Sequence, residues 1–133
     1  RDYRGMALEP SGVYIGPVGR HLVVRGRTLT LLDDPPASGH RPSATVLFRS
    51  VAEHYGGRAA GVLLTGMGDD GASGRRDLKR RGGVTIAQDE ASSVVFGMPA
   101  VAIGMGVVDY VLGLSNIAPM LQQLAREGAK AKL

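Results

Sequence analysis

The chain has 133 residues, 44% hydrophobic and 21% charged, with a formal net charge of +4 and no cysteine. That length makes one domain large enough to close a core, and the absence of Cys excludes disulfides and thiolate metal sites while suiting a reducing cytoplasm. No apolar run approaches the roughly 18 residues of a membrane span, and no apolar stretch follows Arg1-Asp2-Tyr3-Arg4 as a signal peptide would require.

In chain order, Gly12-Val-Tyr-Ile-Gly16 reads as a short strand ended by Pro17. His21–Val24 and Thr28–Leu32, joined through Arg25-Gly26-Arg27, read as a β-hairpin. Asp33 to Pro42 is a loop by its turn residues. Ser43 is a good N-cap, and Ala44, Leu47, Phe48, Val51, Ala52 and Tyr55 follow the spacing of a helix with one apolar face, stopped by Gly56-Gly57. The apolar run Ala59–Thr65 predicts a strand buried on both faces, as in a parallel sheet. A glycine-rich loop follows, then a helix over 72–81 closed by Gly82-Gly83, and a second buried strand over 84–88. The stretch 91–99 reads as a helical turn and loop, 99–105 as a helix with Pro in its first turn, and 107–111 as a short strand. Ser115 is expected to cap a last helix, with Ile117, Leu121 and Leu124 on one face. A hairpin followed by alternating helices and strands predicts an α/β fold with a mainly parallel, doubly wound, Rossmann-like sheet. No repeat, low-complexity block or linker divides residues 1–133.

Basic residues gather at Arg75-Arg76, Lys79-Arg80-Arg81 and in the tail. With 5% aromatic residues and no Trp, stacking platforms for bases are few. The charges therefore read as a solvated helix face and a frayed tail rather than a nucleic-acid footprint, which leaves an acidic protein partner open.

The loop Thr65-Gly-Met-Gly-Asp-Asp-Gly-Ala-Ser-Gly74 carries a G-x-G-x-x-G spacing at Gly66, Gly68 and Gly71, between a predicted strand and a predicted helix. A dinucleotide cradle is nevertheless disfavoured. Asp69 and Asp70 would face the pyrophosphate, and like charges about 4 Å apart repel by roughly 4 kcal/mol at an effective dielectric near 20. The loop has no Lys to compensate, and the Gly-Lys-Ser/Thr of a phosphate-binding Walker loop is missing. A carboxylate at a helix N-terminus is kept ionised by the free N–H groups there. One of Asp69 or Asp70 could thus orient a histidine in a Ser-His-Asp arrangement, or act as a plain N-cap.

The blocks "HRPSATVLFRSVA", "GVLLTGMGDDGASG", "GGVTIAQDEASSVVFGMPAVAI" and "GVVDYVL" resemble the C-terminal part of the chemotaxis protein-glutamate methylesterase (CheB-type) family, from about Val13 to Leu121. The resemblance implies hydrolysis of glutamate methyl esters on cytoplasmic segments of bacterial chemoreceptors, releasing methanol. Many such enzymes also deamidate receptor glutamines, and many carry a receiver domain. It further implies a Ser-His-Asp triad, its aspartate at Asp70 and its oxyanion donor at the Met67 amide; no cofactor is expected, and no metal, because no His/Asp/Glu cluster has ligand spacing. Gly66, Gly68 and Gly71 would shape the turn. His40, Arg41, Ser92 and Ser93 would shape the cleft, with Arg41 available to an acidic group of the receptor, and Asp69 would be solvated.

The family's nucleophile turn (Ser-Thr-Gly-Gly type) and its His-Met-Pro segment are not in these residues. The resemblance places both, with the first strands of the sheet, upstream of Arg1. The chain is thus expected to be the C-terminal part of a catalytic domain, inactive alone, with the upstream part of its own domain as a partner. A strand over 59–65 without its neighbours would leave backbone groups unpaired, which predicts an oligomeric, domain-swapped or poorly stable isolated chain. Local substitutes are weak: Ser73 belongs to a first helical turn, and neither it nor Ser92-Ser93 makes a nucleophile elbow. Of the histidines, His21 begins a hairpin strand and His54 lies near a helix C-terminus. The rival reading is a non-catalytic binding or regulatory module on the same scaffold.

Overall fold

The computed structural model describes residues 5–9, 12–37, 39–66 and 70–127. Two three-stranded sheets organise the chain. In the first, β2 (His21–Arg25) and β3 (Thr28–Leu32) form the expected antiparallel hairpin, and β1 (Met6–Ala7) pairs with the other edge of β3. The second is parallel, in the order β4 (Ala60–Leu63), β5 (Val84–Gln88), β6 (Tyr110–Leu112).

Helix α1 (Ala44–Tyr55) lies between the hairpin and α2 (Ala72–Arg80). It starts as the sequence dictates: Ser43, in extended backbone, accepts from the Val46 N–H. It ends at Gly56, whose φ of +50° with ψ of −119° is a backbone conformation open to glycine. One side of α1 sends Leu47, Val51 and Tyr55 against Leu22, Val24, Leu29 and Leu31 of the hairpin. On the other side Phe48 meets Leu63, Ala102 and Val107. The approach of α2 depends on Gly74, because a Cβ there would stand 2.7 Å from the Thr45 carbonyl oxygen.

Alternation along β4 supplies both faces of the parallel sheet. Leu63 packs toward α1 and α3 (Met98–Gly104), while Val62 joins Val84, Ile86, Ile117 and Leu124 under α4 (Leu114–Glu127). The sheet is therefore covered on both faces, and the doubly wound α/β expectation holds.

Three details differ from expectation. Residues 12–17 form no strand: the free edge of β3 is taken by β1, and Val13 and Ile15 stay exposed. The last strand starts at Tyr110 rather than 107, because Val107 is spent in the core beside α3 and the Asp109 carboxylate grips the Thr85 N–H and hydroxyl. Helix α4 begins one residue before Ser115.

Candidate active site

Asp70 lies seven residues past the end of β4, on the carboxyl side of the parallel strands, where sites of α/β sheets collect. It is 7% exposed. Its carboxylate does not cap its own helix: the N-cap of α2 is Gly71, with no side-chain bond. It serves α1 instead. Oδ1 accepts from the Ser43 hydroxyl at 2.6 Å and the Thr45 N–H at 3.2 Å, and Oδ2 accepts from the Ala44 N–H at 2.8 Å. The turn that makes this possible needs φ +93° at Gly71, whose N–H donates to Thr45 Oγ1 at 2.7 Å. Burial acts to raise the Asp70 pKa. The Ser43 hydroxyl, the Ala44 and Thr45 amides and the nearby His40 outweigh it, so the carboxyl is held below its usual value and stays ionised.

Ser43 links Asp70 to His21. The Ser43 N–H donates to His21 Nδ1 at 3.2 Å, so that nitrogen carries no proton, and Nε2 donates to the Pro35 carbonyl oxygen at 2.9 Å. His21 and Ser43 are 0% and 2% exposed. Ser, His and Asp thus converge, but in the wrong connectivity for nucleophilic catalysis. The imidazole meets the serine's amide, and the hydroxyl hydrogen-bonds to the carboxylate rather than to the imidazole, so nothing makes Ser43 a nucleophile. This is a scaffold that fixes the N-terminus of α1 on Asp70. Sequence reasoning identified Ser43 only as a cap and His21 only as the start of a strand.

His40 is exposed, paired by its backbone to Ala37. Arg41 is also exposed and donates to the Asp33 and Asp34 carbonyl oxygens at 3.3 Å each. Gly66 joins the 95–98 segment: its N–H donates to Val95 O, and its carbonyl accepts from Gly97 and Met98. Ser92 and Ser93 organise the turn after β5, where the Ser92 hydroxyl donates to Asp89 Oδ1 and accepts from the Leu114 N–H, and the Ser93 hydroxyl donates to the Asp89 carbonyl. Gln88, which the sequence did not single out, ties the two segments. Its Oε1 accepts from the Thr65 N–H at 2.8 Å and its Nε2 donates to Ser92 O at 2.6 Å. The expectations for Met67, Gly68 and Asp69 lie outside the described residues.

A cavity of about 490 Å³ sits at the opposite end of the sheet, lined by Ala59, Ala60, Val84, Leu121, Leu124 and Ala125 among others. Apart from the Arg58 guanidinium its lining has no ionisable side chain and no nucleophile, so size alone does not mark the site.

A parallel sheet wound on both faces, with an ionised, buried carboxylate beyond the carboxyl end of a strand, defines an α/β domain of the kind that gathers its chemistry at that edge. A family model described as CheB methylesterase matches residues 3–121, and the chain belongs to that family. The protein-glutamate methylesterase/protein-glutamine glutaminase of group 3 operon of Rhizobium meliloti (strain 1021) is 50% identical over 123 residues, covering 92% of this chain and 35% of that protein. Protein-glutamate methylesterase FrzG of Myxococcus xanthus is 52% identical over 117 residues, covering 87% and 35%. The crystal structure of the Thermotoga maritima CheB methylesterase catalytic domain superposes with a TM-score of 0.89 at 35% identity, covering 92% of this chain and 67% of that one. The chain thus spans about a third of the length of the curated relatives that it matches.

Proposed function

We propose that these residues supply the carboxylate of a Ser-His-Asp esterase acting on glutamate methyl esters of chemoreceptors in the cytoplasm. The observation that carries the reading is Asp70, ionised by three donors at the carboxyl edge of the sheet in a chain of this family. A carboxylate offers about four acceptor positions, of which the α1 N-terminus uses three. The fourth would take the Nδ1–H of a histidine from polypeptide outside these residues. That bond fixes the tautomer in which Nε2 can draw the proton from an attacking serine hydroxyl. The serine oxygen adds to the ester carbonyl, the oxyanion is stabilised by backbone donors that include the Met67 amide, and methanol leaves with the proton returned by the imidazole. Water then cleaves the acyl-enzyme to glutamate by the same proton path. Attack on a glutamine side chain would release ammonia instead, in line with the glutaminase in the names of relatives.

The test is methanol release from methylated receptor. A longer polypeptide that includes the segment upstream of Arg1 should release it, and these 133 residues alone should not. Methanol release by the short chain would overturn the assignment of the nucleophile to other polypeptide.

A second reading draws on the same three bonds. In a non-catalytic module, Asp70 would be only the clamp that holds α1, and a longer polypeptide would release no methanol whatever its upstream sequence.

A further inference from the structure

The far end of α1 carries a charge arrangement that Asp70 does not explain. The Gly26 N–H donates to His54 Nδ1 at 3.2 Å and the Tyr55 hydroxyl donates to Gly26 O at 2.7 Å, which seats the Arg25-Gly26-Arg27 turn on the last turn of the helix. On the other flank the end of α2 abuts α1, since a Cβ on Gly56 would lie 3.1 Å from the Arg81 carbonyl oxygen. Between the flanks the Arg58 guanidinium stands 5.3 Å from the centre of the Tyr55 ring. Arg25, Arg27, Arg58, Arg80 and Arg81 are all exposed. The ion pairs among the described residues engage Arg20, Arg49 and Lys79, and none of these five.

Two explanations inside the fold fall short. Arginines at helix C-termini offset the dipole, but each terminus carries only about half a negative charge. The ends of α1 and α2 with Glu53, and Glu9 beside the Arg25–Arg27 turn (Leu8 N–H donates to Arg27 O at 2.7 Å), therefore balance roughly three of the five cations. Asp77 is already taken by Arg49 at 3.2 Å. An excess of roughly two positive charges is left at this pole.

The geometry points to a docking surface for a carboxylate-rich protein segment that crosses the end of α1, with its acids on both flanks. Guanidinium groups grip carboxylates through paired N–H donors. Nucleic acid is the weaker match, because Tyr55 has its ring under Arg58 and its hydroxyl on Gly26, so no free aromatic face stacks a base. Helix α1 has 12 residues, which puts this pole about 18 Å along its axis from Asp70. A segment bound there leaves the carboxyl edge of the sheet open, and the inference stands whether or not Asp70 is catalytic.

Fluorescence anisotropy of a fluorescein-labelled deca-glutamate peptide with the full chain tests this. Arg80→Gln/Arg81→Gln and Arg25→Gln/Arg27→Gln should each weaken binding about five-fold or more at low salt. Arg20→Gln/Arg41→Gln, which removes the same charge beside the opposite end of α1, should change it by less than about two-fold. Equal losses in all three pairs, no binding of the peptide, or tighter binding of an oligothymidylate of matched charge would each overturn the proposal.

Discussion

The Ser43 hydroxyl donates to Asp70 Oδ1 at 2.6 Å while the Ser43 amide donates to His21 Nδ1 at 3.2 Å. One residue therefore sets the start of α1, the charge state of the acid 27 positions later and the tautomer of a buried histidine. Replacing Ser43 by Ala removes the hydroxyl bond and the cap together. It should destabilise the chain by about 1–3 kcal/mol and raise the Asp70 pKa, and Ser43→Thr should restore much of both. Carboxyl carbon shifts of Asp70 followed through an acid titration, with thermal melts, check this. An unmoved Asp70 titration in Ser43→Ala would show that the bond does not tune the carboxylate.

Acid should act through the same group. The folded-state pKa of Asp70 lies below that of an ordinary aspartate, so the unfolded chain binds the proton more readily. Stability from Asp70 is then fully present above the ordinary value and lost as pH falls through it toward the folded-state pKa. Asp70→Asn should lower stability at neutral pH and flatten this part of the acid limb. Denaturant midpoints measured from pH 6 downward give the slope, and an equal slope in the variant would count against the assignment.

Arg75 is 0% exposed, with Nη2 donating to Gly61 O at 2.9 Å and Nε and Nη1 without hydrogen-bond partners. Burial pulls its pKa down to about 10, and attraction to Asp109 only partly offsets this. At neutral pH the fold therefore carries a poorly solvated cation against the sheet. Arg75→Met keeps the length and apolar stem and removes the charge, and should stabilise by about 1–4 kcal/mol. A lower melting temperature would mean that the Gly61 contact outweighs the desolvation.

Among the described residues β4 pairs only with β5, which leaves one edge of a strand with a buried Gly61 and Leu63 open to further pairing. Such an edge recruits other chains. The isolated 133-residue chain should sediment as oligomers or melt without a sharp transition. A concentration-independent monomer with a cooperative melt would contradict this.

Elements with a local physical cause were legible in the sequence. The i, i+3, i+4 apolar spacing after Ser43 gave α1, the run before the glycine loop gave β4, and the two-sided burial of 84–88 gave β5. Legibility ended where partners are distant. Asp70 was expected to serve the helix that follows it. Which N-terminus a carboxylate reaches depends on how closely two helices pack, and Gly74 brings α1 nearer. His21 sits in an apolar strand pattern, and its burial rests on acceptor and donor groups at Pro35 and Ser43 that periodicity does not reveal. The strand expected over 12–16 had the right residue types, but the edge of β3 was already occupied by β1.

The most direct test uses a longer polypeptide that includes the upstream segment and compares methanol release from methylated receptor by wild type, Asp70→Asn and Asp69→Asn, each checked for a cooperative melt. The account predicts a roughly 10³–10⁴-fold fall in kcat for Asp70→Asn and a change within about two-fold for Asp69→Asn, whose side chain is assigned no role in the reaction. Near-wild-type turnover by a folded Asp70→Asn protein, or equal losses in the two variants, would contradict it.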